Sequence, residues 1–290
     1  MKISTQTRHY LTHNFSWEEM VKCIADAGFD YLDFSFSVLK KTVWPEEGWN
    51  KEDFQKLREY ADSCNIAFNQ VHAPVPSSVG DEERDAEIFE SIVRAMECAS
   101  ILGAKHIIVH PKQHLPYKGN EELLKQMNYE FYRSLIPYCE KYQIQVAIEN
   151  MWQKDKLRNY IVKSTCADPA EHIEYVDMQN SPWIVACLDV GHTALTGDDV
   201  AEVIRMLGHG RLKCLHVHDV DYIHDNHTIP GIQKLDFNEI LQALKDIDYD
   251  GEFTLEADNF LVGFEKEFVP VAARFMADRA RFLANRFEEL

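Results

Sequence analysis

The sequence predicts an α/β fold, a single (β/α)8 TIM barrel that spans residues 1–290. Three observations lead to this prediction. Short apolar, β-branched segments alternate with longer segments of helical periodicity, and eight such pairs follow one another along the chain. The length of 290 residues is typical of one eight-fold barrel. No linker rich in Pro, Gly or Ser divides the chain, so we expect one domain.

A doubly wound open sheet is the alternative arrangement of alternating strands and helices. It would usually contain fewer units and would carry a glycine-rich turn after its first strand. Residues 6–10, Gln-Thr-Arg-His-Tyr, follow the first predicted strand and contain no glycine. We therefore favour the closed barrel.

The first four strand–helix pairs carry recognisable helix ends. A strand that begins at Lys2 precedes a helix that Ser16 caps, with Glu19 three residues later in the capping-box position. Gly103 ends the third helix, because glycine readily adopts the left-handed conformation that closes a helix. The remaining predicted pairs in this half are strand 31–36 with helix 52–63, strand 66–71 with helix 82–101, and strand 106–109 with helix 121–141.

The last four pairs complete the predicted barrel. They are strand 145–148 with helix 169–176, 184–188 with 200–207, 212–217 with 237–247, and 252–255 with 269–287. Asp236 and Glu239 stand at the cap and third positions of the seventh helix. Apolar residues recur at helical spacing in segment 269–287, which predicts packing on the barrel and makes a homo-oligomer a candidate assembly.

Composition and charge exclude several classes of protein. The chain is 46% hydrophobic and 27% charged, a globular balance, and its net charge is −18. That charge repels nucleic acid and anionic membranes, so we expect neither as a partner. The seven cysteines form no CxxC pair, which indicates reduced thiols. The first residues lack the apolar region of a signal peptide, and we expect a soluble, cytoplasmic protein.

Six consecutive predicted strands end in a residue that can bind a metal ion. These residues, in chain order, are His72, His110, Glu149, Asp189, His216 and Glu256. In a barrel the carboxyl ends of all strands meet at one rim, where active sites form. Burying carboxylates and imidazoles there costs several kcal/mol each unless an opposite charge compensates. Because basic residues are scarce on these segments, the pattern predicts a divalent cation.

The chemistry of the donor atoms suggests which cation binds. Glu149, Asp189, His216 and Glu256 form an oxygen-rich set, for which we expect Mn²⁺ first, with Co²⁺, Mg²⁺ or Zn²⁺ as alternatives. Five further residues would favour zinc and more than one ion: His72, His110, His192, Asp225 and His227. His216 and His218 share a strand face, so either can be the imidazole ligand.

At these segments the sequence resembles the xylose-isomerase-like barrel superfamily. The most specific matches are Ile-Glu-Asn at 148–150, Leu-Asp-Val-Gly-His at 188–192, the step from His216 to Asp219, Asp-Asn-His at 225–227 before Pro-Gly at 230–231, and Leu-Glu at 255–256. The superfamily includes sugar phosphate isomerases and epimerases, ketose 3-epimerases and endonuclease IV. The resemblance covers nearly the whole chain and implies the barrel fold.

The two best-matched branches imply different metal sites. Similarity to the ketose 3-epimerases implies one divalent metal on Glu149, Asp189, His216 and Glu256, with His192 in contact with substrate. The epimerases place an arginine shortly after the ligand on strand seven, whereas this chain has Tyr222 and no arginine before Pro230. Similarity to endonuclease IV implies three zinc ions, and all nine ligands of that site have a match among the residues already named.

The resemblance and the paired carboxylates predict a sugar isomerase or epimerase. Glu149 and Glu256 would be the catalytic residues, one removing the proton next to the carbonyl to form an enediolate and the other returning a proton. The alternatives are a multinuclear zinc phosphodiester hydrolase, a metal-dependent dehydratase that uses the same site, and a non-catalytic barrel. The metal content distinguishes the sugar isomerase or epimerase from the phosphodiester hydrolase, because sugar chemistry needs one ion per chain and phosphodiester cleavage needs three.

Three further residues are candidates for the substrate pocket. Trp152 follows Glu149 and can present its ring to the C–H face of a sugar. His9 follows the first strand and so reaches the same rim. Lys112, in the loop after His110, can meet a substrate phosphate. No glycine-rich phosphate loop follows strands seven and eight, so phosphorylation of the substrate stays open.

Overall fold

Eight parallel strands form a barrel at the centre of the protein. The computed structural model describes residues 1–36 and 50–290. The strands in these residues are β1 (Ile3–Gln6), β2 (Tyr31–Ser35), β3 (Ala67–His72), β4 (His106–Val109), β5 (Gln145–Glu149), β6 (Trp152–Lys154), β7 (Ile161–Lys163), β8 (Ile184–Asp189), β9 (Leu212–His216) and β10 (Phe253–Leu255). All except β6 and β7 belong to the parallel sheet, in the order β10-β1-β2-β3-β4-β5-β8-β9.

The sheet closes on itself between β9 and β10. The Val217 N–H donates to the Thr254 carbonyl at 2.9 Å, and the Glu256 N–H donates to the Val217 carbonyl at 3.0 Å. These bonds join the two ends of the strand order. The predicted closed eight-stranded barrel is therefore confirmed.

Helices surround the barrel as a ring. Their bounds are α1 (Arg8–Thr12), α2 (Trp17–Ala27), α3 (Lys51–Ser63), α4 (Glu82–Leu102), α5 (Glu121–Tyr142), α6 (Pro169–Asp177), α7 (Val190–Leu195), α8 (Val200–Arg211), α9 (Phe237–Asp246) and α10 (Val269–Glu289). Each long helix contacts the next long helix in the chain, and α10 returns to contact α2. The outer face of α10 leaves Val271, Phe275 and Phe282 exposed. Self-association stays a prediction.

The predicted helix ends have the expected geometry. Ser16 Oγ accepts the Glu19 N–H at 3.1 Å, while Glu19 Oε2 accepts the Ser16 N–H at 2.8 Å, which completes the capping box. Gly103 follows α4 with a φ of 83°. Asp236 caps α9 by accepting the Asn238 N–H at 2.9 Å. Local sequence signals therefore determined where these helices begin and end.

Two short helices and a β-hairpin near the rim were not predicted. Helix α1 directly follows β1, helix α7 directly follows β8, and β6 pairs with β7 as an antiparallel hairpin in the loop after β5. Two strands also extend one residue further than predicted, so that Glu149 and Asp189 are the last residues of β5 and β8. Both side chains are consequently held by regular strand pairing, Glu149 beside Cys187 and Asp189 beside His216.

The cysteines and the apolar character of the helices can be read directly from the structure. All seven cysteines are free, and six of them are buried. Among residues 1–36 and 50–290, none of the helices combines the length and apolar character needed to cross a bilayer.

Glu171 provides a test of the packing around α6. Burial raises the pKa of the Glu171 carboxyl to about 7, and the nearby Asp168 adds to the rise, while hydrogen bonds from the Cys166 N–H and Tyr117 and the charge of Lys125 oppose it. Between pH 4.5 and 7 the folded state therefore retains a proton that the unfolded state has lost. Stability is expected to fall as pH rises through this window.

The substitution Glu171→Gln is expected to remove this part of the pH dependence. The free energy of unfolding, measured with urea at pH 5 and at pH 8, should fall between these two pH values by about 1–2 kcal/mol more in the wild-type protein than in the variant. This difference is smaller than the full pKa shift of Glu171 would give, because the side chain is partly solvated. All other titrating groups are common to both proteins. Equal losses in the two proteins would show that Glu171 does not titrate in this range.

Candidate functional site

The four residues of the predicted metal site lie together at the carboxyl-terminal rim. We call them the first ligand group: Glu149, Asp189, His216 and Glu256. All four are buried, and one donor atom of each lies within 4.8 Å of the donor atoms of the others. His216 Nδ1 is 3.3 Å from both Glu149 Oε1 and Glu256 Oε2. The structure thus provides the common centre that a single cation requires.

The polar atoms of the first ligand group fit a divalent cation. Both ring nitrogens of His216 and Glu256 Oε2 are buried, yet they have no hydrogen-bond partner among the residues that the structure describes. Buried polar atoms are normally paired, so atoms such as these mark a place for an ion or ligand. Three carboxylates with one imidazole are a donor set that suits Mn²⁺, Mg²⁺, Co²⁺ or Zn²⁺.

A second ligand group shares Glu149 with the first. It consists of His72, His110 and Glu149, whose donor atoms also lie within 4.8 Å of one another. His110 Nε2 is 3.0 Å from Glu149 Oε2, and His72 Nε2 is 3.3 Å from Glu256 Oε1. The sequence-predicted extra ligands His72 and His110 are therefore adjacent to the main centre.

A third ligand group contains His192, His218, Asp225 and His227. His227 Nε2 lies 3.1 Å and His192 Nε2 lies 3.7 Å from Asp225 Oδ2. His218 Nε2 lies 2.9 Å from Asp189 Oδ1, so this imidazole connects the first and third groups. The sequence left His216 and His218 as alternatives for one position. The structure places them in different groups.

The charges of these residues are strongly coupled. Burial by itself raises the pKa of Glu149, but the neighbouring side chains of His216 and His110 hold that pKa well below its ordinary value. Burial lowers the pKa of His72, but the carboxylates of Asp33 and Glu256 raise it well above the ordinary value. The carboxylates therefore favour protonated imidazoles. A cation must displace these protons, so its affinity increases with pH.

A cavity of about 580 Å³ opens above the ligand groups. Glu149, Glu256, His110, His192, Asp225 and His227 line its floor and walls. Trp152 also lines it, and the Trp152 indole N–H donates to Asp225 Oδ2 at 3.2 Å. The volume lies within the usual range for small-molecule sites.

Two predicted pocket residues do not line this cavity, and two unpredicted ones do. The Lys112 ammonium lies 5.2 Å from the centre of the Phe131 ring on α5, and Lys112 is not among the residues that line the cavity. His9 Nε2 lies 3.7 Å from the buried Asp258 carboxylate. The cationic residues of the lining are instead Arg8 and Lys154. The sequence signal that could have predicted these two lining residues is their position, Arg8 shortly after β1 and Lys154 in the segment after Glu149.

The loop that carries Asp225 and His227 is held by one buried carboxylate. Asp219 accepts four backbone N–H groups at 2.8–3.0 Å, from residues 220, 231, 233 and 235. Because these donors lie at both ends of the loop, Asp219 fixes where the loop leaves and rejoins the barrel. The position of Asp225 and His227 thus depends on Asp219.

Gly191 provides a test of the third ligand group. A Cβ atom at this position would lie 2.1 Å from His218 Cε1 and 2.5 Å from His218 Nε2, so the imidazole must move. We expect Gly191→Ala to cost about 1–3 kcal/mol of unfolding free energy, as overpacking of a tight core does. Gly263→Ala is the control, since its Cβ would meet nothing within 4 Å. Equal stability of the two variants in urea unfolding would contradict the prediction.

Comparison with known proteins identifies the family. A family profile described as xylose isomerase-like TIM barrel matches residues 21–278. D-psicose 3-epimerase of Enterocloster bolteae is 26% identical over 244 residues, which cover 80% of this chain and 74% of that protein. A probable endonuclease 4 of Geobacillus kaustophilus is 28% identical over 177 residues, 56% of this chain and 54% of that protein.

A solved structure shows the same fold with a metal ion. The crystal structure of the IOLI protein with a zinc atom has a TM-score of 0.73 and 19% identity, and the match covers 99% of this chain and 98% of that one. This likeness shows the fold, and the profile match over most of the chain shows the family. The chain belongs to the family of xylose isomerase-like TIM barrels.

Proposed function

We propose that this protein is a divalent-metal-dependent epimerase or isomerase of a small ketose or aldose. The observation that carries the proposal is the position of Glu149 and Glu256. These carboxylates follow two strands, β5 and β10, that β8 and β9 separate in the closed barrel. Both lie 3.3 Å from His216 Nδ1, and both line the cavity. Two carboxylates that face one substrate from different strands provide the base and the acid of a proton-transfer reaction.

In the proposed reaction one carboxylate removes the proton next to the substrate carbonyl, which leaves an enediolate. The other group, which begins the reaction as the carboxylic acid, then gives its proton either to the opposite face of the same carbon or to the neighbouring carbon. Glu149 and Glu256 are assigned to these two roles without a fixed order. One group must be ionised to remove the proton, and the other must carry the proton that it returns. Burial favours the protonated form of each carboxyl, whereas the surrounding imidazoles hold the pKa of each well below its ordinary value and favour the ionised form that acts as the base.

The first ligand group would hold the cation of this reaction. A bound cation supplies Lewis-acid stabilisation of the negative charge that develops on the substrate oxygens. We propose Mn²⁺, with Co²⁺, Mg²⁺ or Zn²⁺ as alternatives, since three of the four ligands are carboxylates. The zinc atom of the IOLI protein supports the general point that this fold accommodates a divalent ion.

The cavity favours a small polyhydroxylated substrate. Its volume suits a sugar, and the Trp152 ring offers an apolar wall against which C–H groups can pack. The similarity to D-psicose 3-epimerase supports the same class of substrate. The net charge of −18 makes nucleic acid an unfavourable partner.

A second candidate function is phosphodiester hydrolysis by a multinuclear zinc centre. The second and third ligand groups favour it, because they adjoin the first group through Glu149 and Asp189 and together supply sites for more than one ion. Neighbouring metal ions can activate a water molecule and stabilise the leaving oxygen in such a reaction. The similarity to a probable endonuclease 4 points the same way.

Deuterium exchange distinguishes these functions. The protein would be loaded with Mn²⁺ or Zn²⁺ and incubated in D₂O with a panel of ketoses and aldoses, and NMR would follow exchange of the proton next to the carbonyl. Exchange with formation of an isomeric sugar supports the proposal. Exchange with loss of water indicates a dehydratase. Absence of exchange, with hydrolysis of bis-p-nitrophenyl phosphate and three zinc ions per chain, would establish the second candidate instead.

A further inference from the structure

Asp33 is a carboxylate inside the barrel that the sequence pattern did not single out. It lies in the middle of β2, where its neighbours Leu32 and Phe34 are apolar, and its side chain is fully buried. Successive residues of a strand point to opposite faces. Phe34 packs against the aromatic ring of Phe54 on α3, while Asp33 faces the barrel interior, beneath the ligand groups.

Asp33 contacts the imidazoles of two different ligand groups. His72 Nδ1 lies 3.2 Å and 3.1 Å from the two Asp33 carboxylate oxygens. His216 Nε2 lies 3.8 Å from Asp33 Oδ2. The two rings are stacked with their centres 4.3 Å apart and their planes 14° from parallel. The Asp33 carboxylate thus lies beside one ring nitrogen of each of two nearly parallel imidazoles, Nδ1 of His72 and Nε2 of His216.

The opposite nitrogen of each ring faces the metal-binding carboxylates. His72 Nε2 lies 3.3 Å from Glu256 Oε1, and His216 Nδ1 lies 3.3 Å from Glu149 Oε1. Each imidazole therefore directs one nitrogen toward Asp33 and the other toward the centre. A carboxylate on one side of a metal-binding imidazole keeps the proton on the near nitrogen, which leaves the lone pair of the far nitrogen for the metal.

We propose that Asp33 is a positioning residue that orients the stacked rings of His72 and His216 together and sets the tautomer of His72. Its own oxygens are engaged by the ring of His72 and by the Gln70 amide, which donates to Asp33 Oδ2 at 2.9 Å. The donor atoms of Asp33, His72 and His216 also lie within 4.8 Å of one another. Because both Asp33 oxygens already have partners, the proposal is that Asp33 acts on the cation through the imidazoles and not as a ligand. The inference rests on the proposed cation site and not on the sugar chemistry.

The test measures metal binding without a substrate. Full-length protein would be stripped of metal and titrated with Co²⁺, with visible absorption reporting the coordination of the ion. We expect Asp33→Asn to bind the same number of ions with about 10–100-fold lower affinity and an altered absorption spectrum. The control is Ser4→Ala, which removes a buried hydroxyl that donates to Asn69 Oδ1 at 2.8 Å and touches neither imidazole. The control should keep wild-type affinity.

Two results would overturn the proposal. One is an unchanged Co²⁺ affinity in Asp33→Asn. The other is the loss of one bound ion per chain, which would make Asp33 a ligand.

A measurement on the wild-type protein covers the case in which the variant does not fold. In ¹⁵N NMR of the Zn²⁺-loaded chain, the proton of His72 is expected on Nδ1, the nitrogen that lies against Asp33. The opposite tautomer of His72 would contradict the proposal. Because no sugar is present in either experiment, failure of the sugar chemistry would leave these results unaffected.

Discussion

Glu149→Gln and Glu256→Gln are each expected to lower turnover of the true substrate by about 10²–10⁴-fold. Each carboxylate is proposed to transfer a proton, and an amide cannot accept or donate that proton at neutral pH. Both side chains are buried at the floor of the cavity, so bulk water cannot easily replace them. The measurement is kcat for the sugar that the deuterium-exchange screen identifies, together with the exchange rate itself.

Controls separate loss of proton transfer from loss of the metal. Glu122→Gln is a matched control, because Glu122 is 87% exposed and lies on α5 far in sequence from the ligands. Metal content is measured for every variant, since glutamine can still offer an amide oxygen to a cation. Near-normal exchange and turnover in both active-site variants would mean that the reaction does not use two carboxylates.

Removal of the divalent metal is expected to abolish turnover and to lower the melting temperature. The buried carboxylates of the first ligand group repel one another when the compensating cation is removed, and a ligand present at 100 times its Kd adds about 2.7 kcal/mol of stability. For a chain of this size the difference corresponds to a shift of roughly 5 °C or more. Addition of Mn²⁺ to the stripped protein should restore both properties.

The metal experiment also distinguishes the two candidate functions. Sugar chemistry needs the first ligand group, so restoration should be complete at one ion per chain. The multinuclear hydrolase needs three zinc ions before activity returns. Mg²⁺, Co²⁺ and Zn²⁺ are compared with Mn²⁺ in the same titration, and turnover that persists after exhaustive chelation would exclude the proposed enolisation.

The sequence predicted the barrel because its signals are local. Alternating strands and helices, the Ser16 capping box and the glycine after α4 each depend on residues a few positions apart. The polar residues at the strand ends were also visible, since each interrupts an apolar segment. Glu149 and Asp189 could therefore be assigned to one rim before the contacts between them were known.

Other features of the site depend on contacts that no local pattern contains. Asp33 was missed, because a single carboxylate within an apolar strand gives no sign of which face it occupies or what it touches. Lys112 was predicted near the substrate from its loop position alone, and only the structure shows that its ammonium lies 5.2 Å from the centre of the Phe131 ring on α5. The direction of a loop side chain depends on such packing.

By itself the sequence determined the eight-fold barrel and the kinds of side chain that surround its rim. Only the tertiary structure decided which of them share a centre: it separated His216 from His218, joined Glu149 to two ligand groups and placed Asp33 beneath a pair of imidazoles. The physical reason is that a metal site depends on donor atoms a few ångströms apart. Those distances follow from strand register, barrel closure and loop packing among residues that are far apart in the chain.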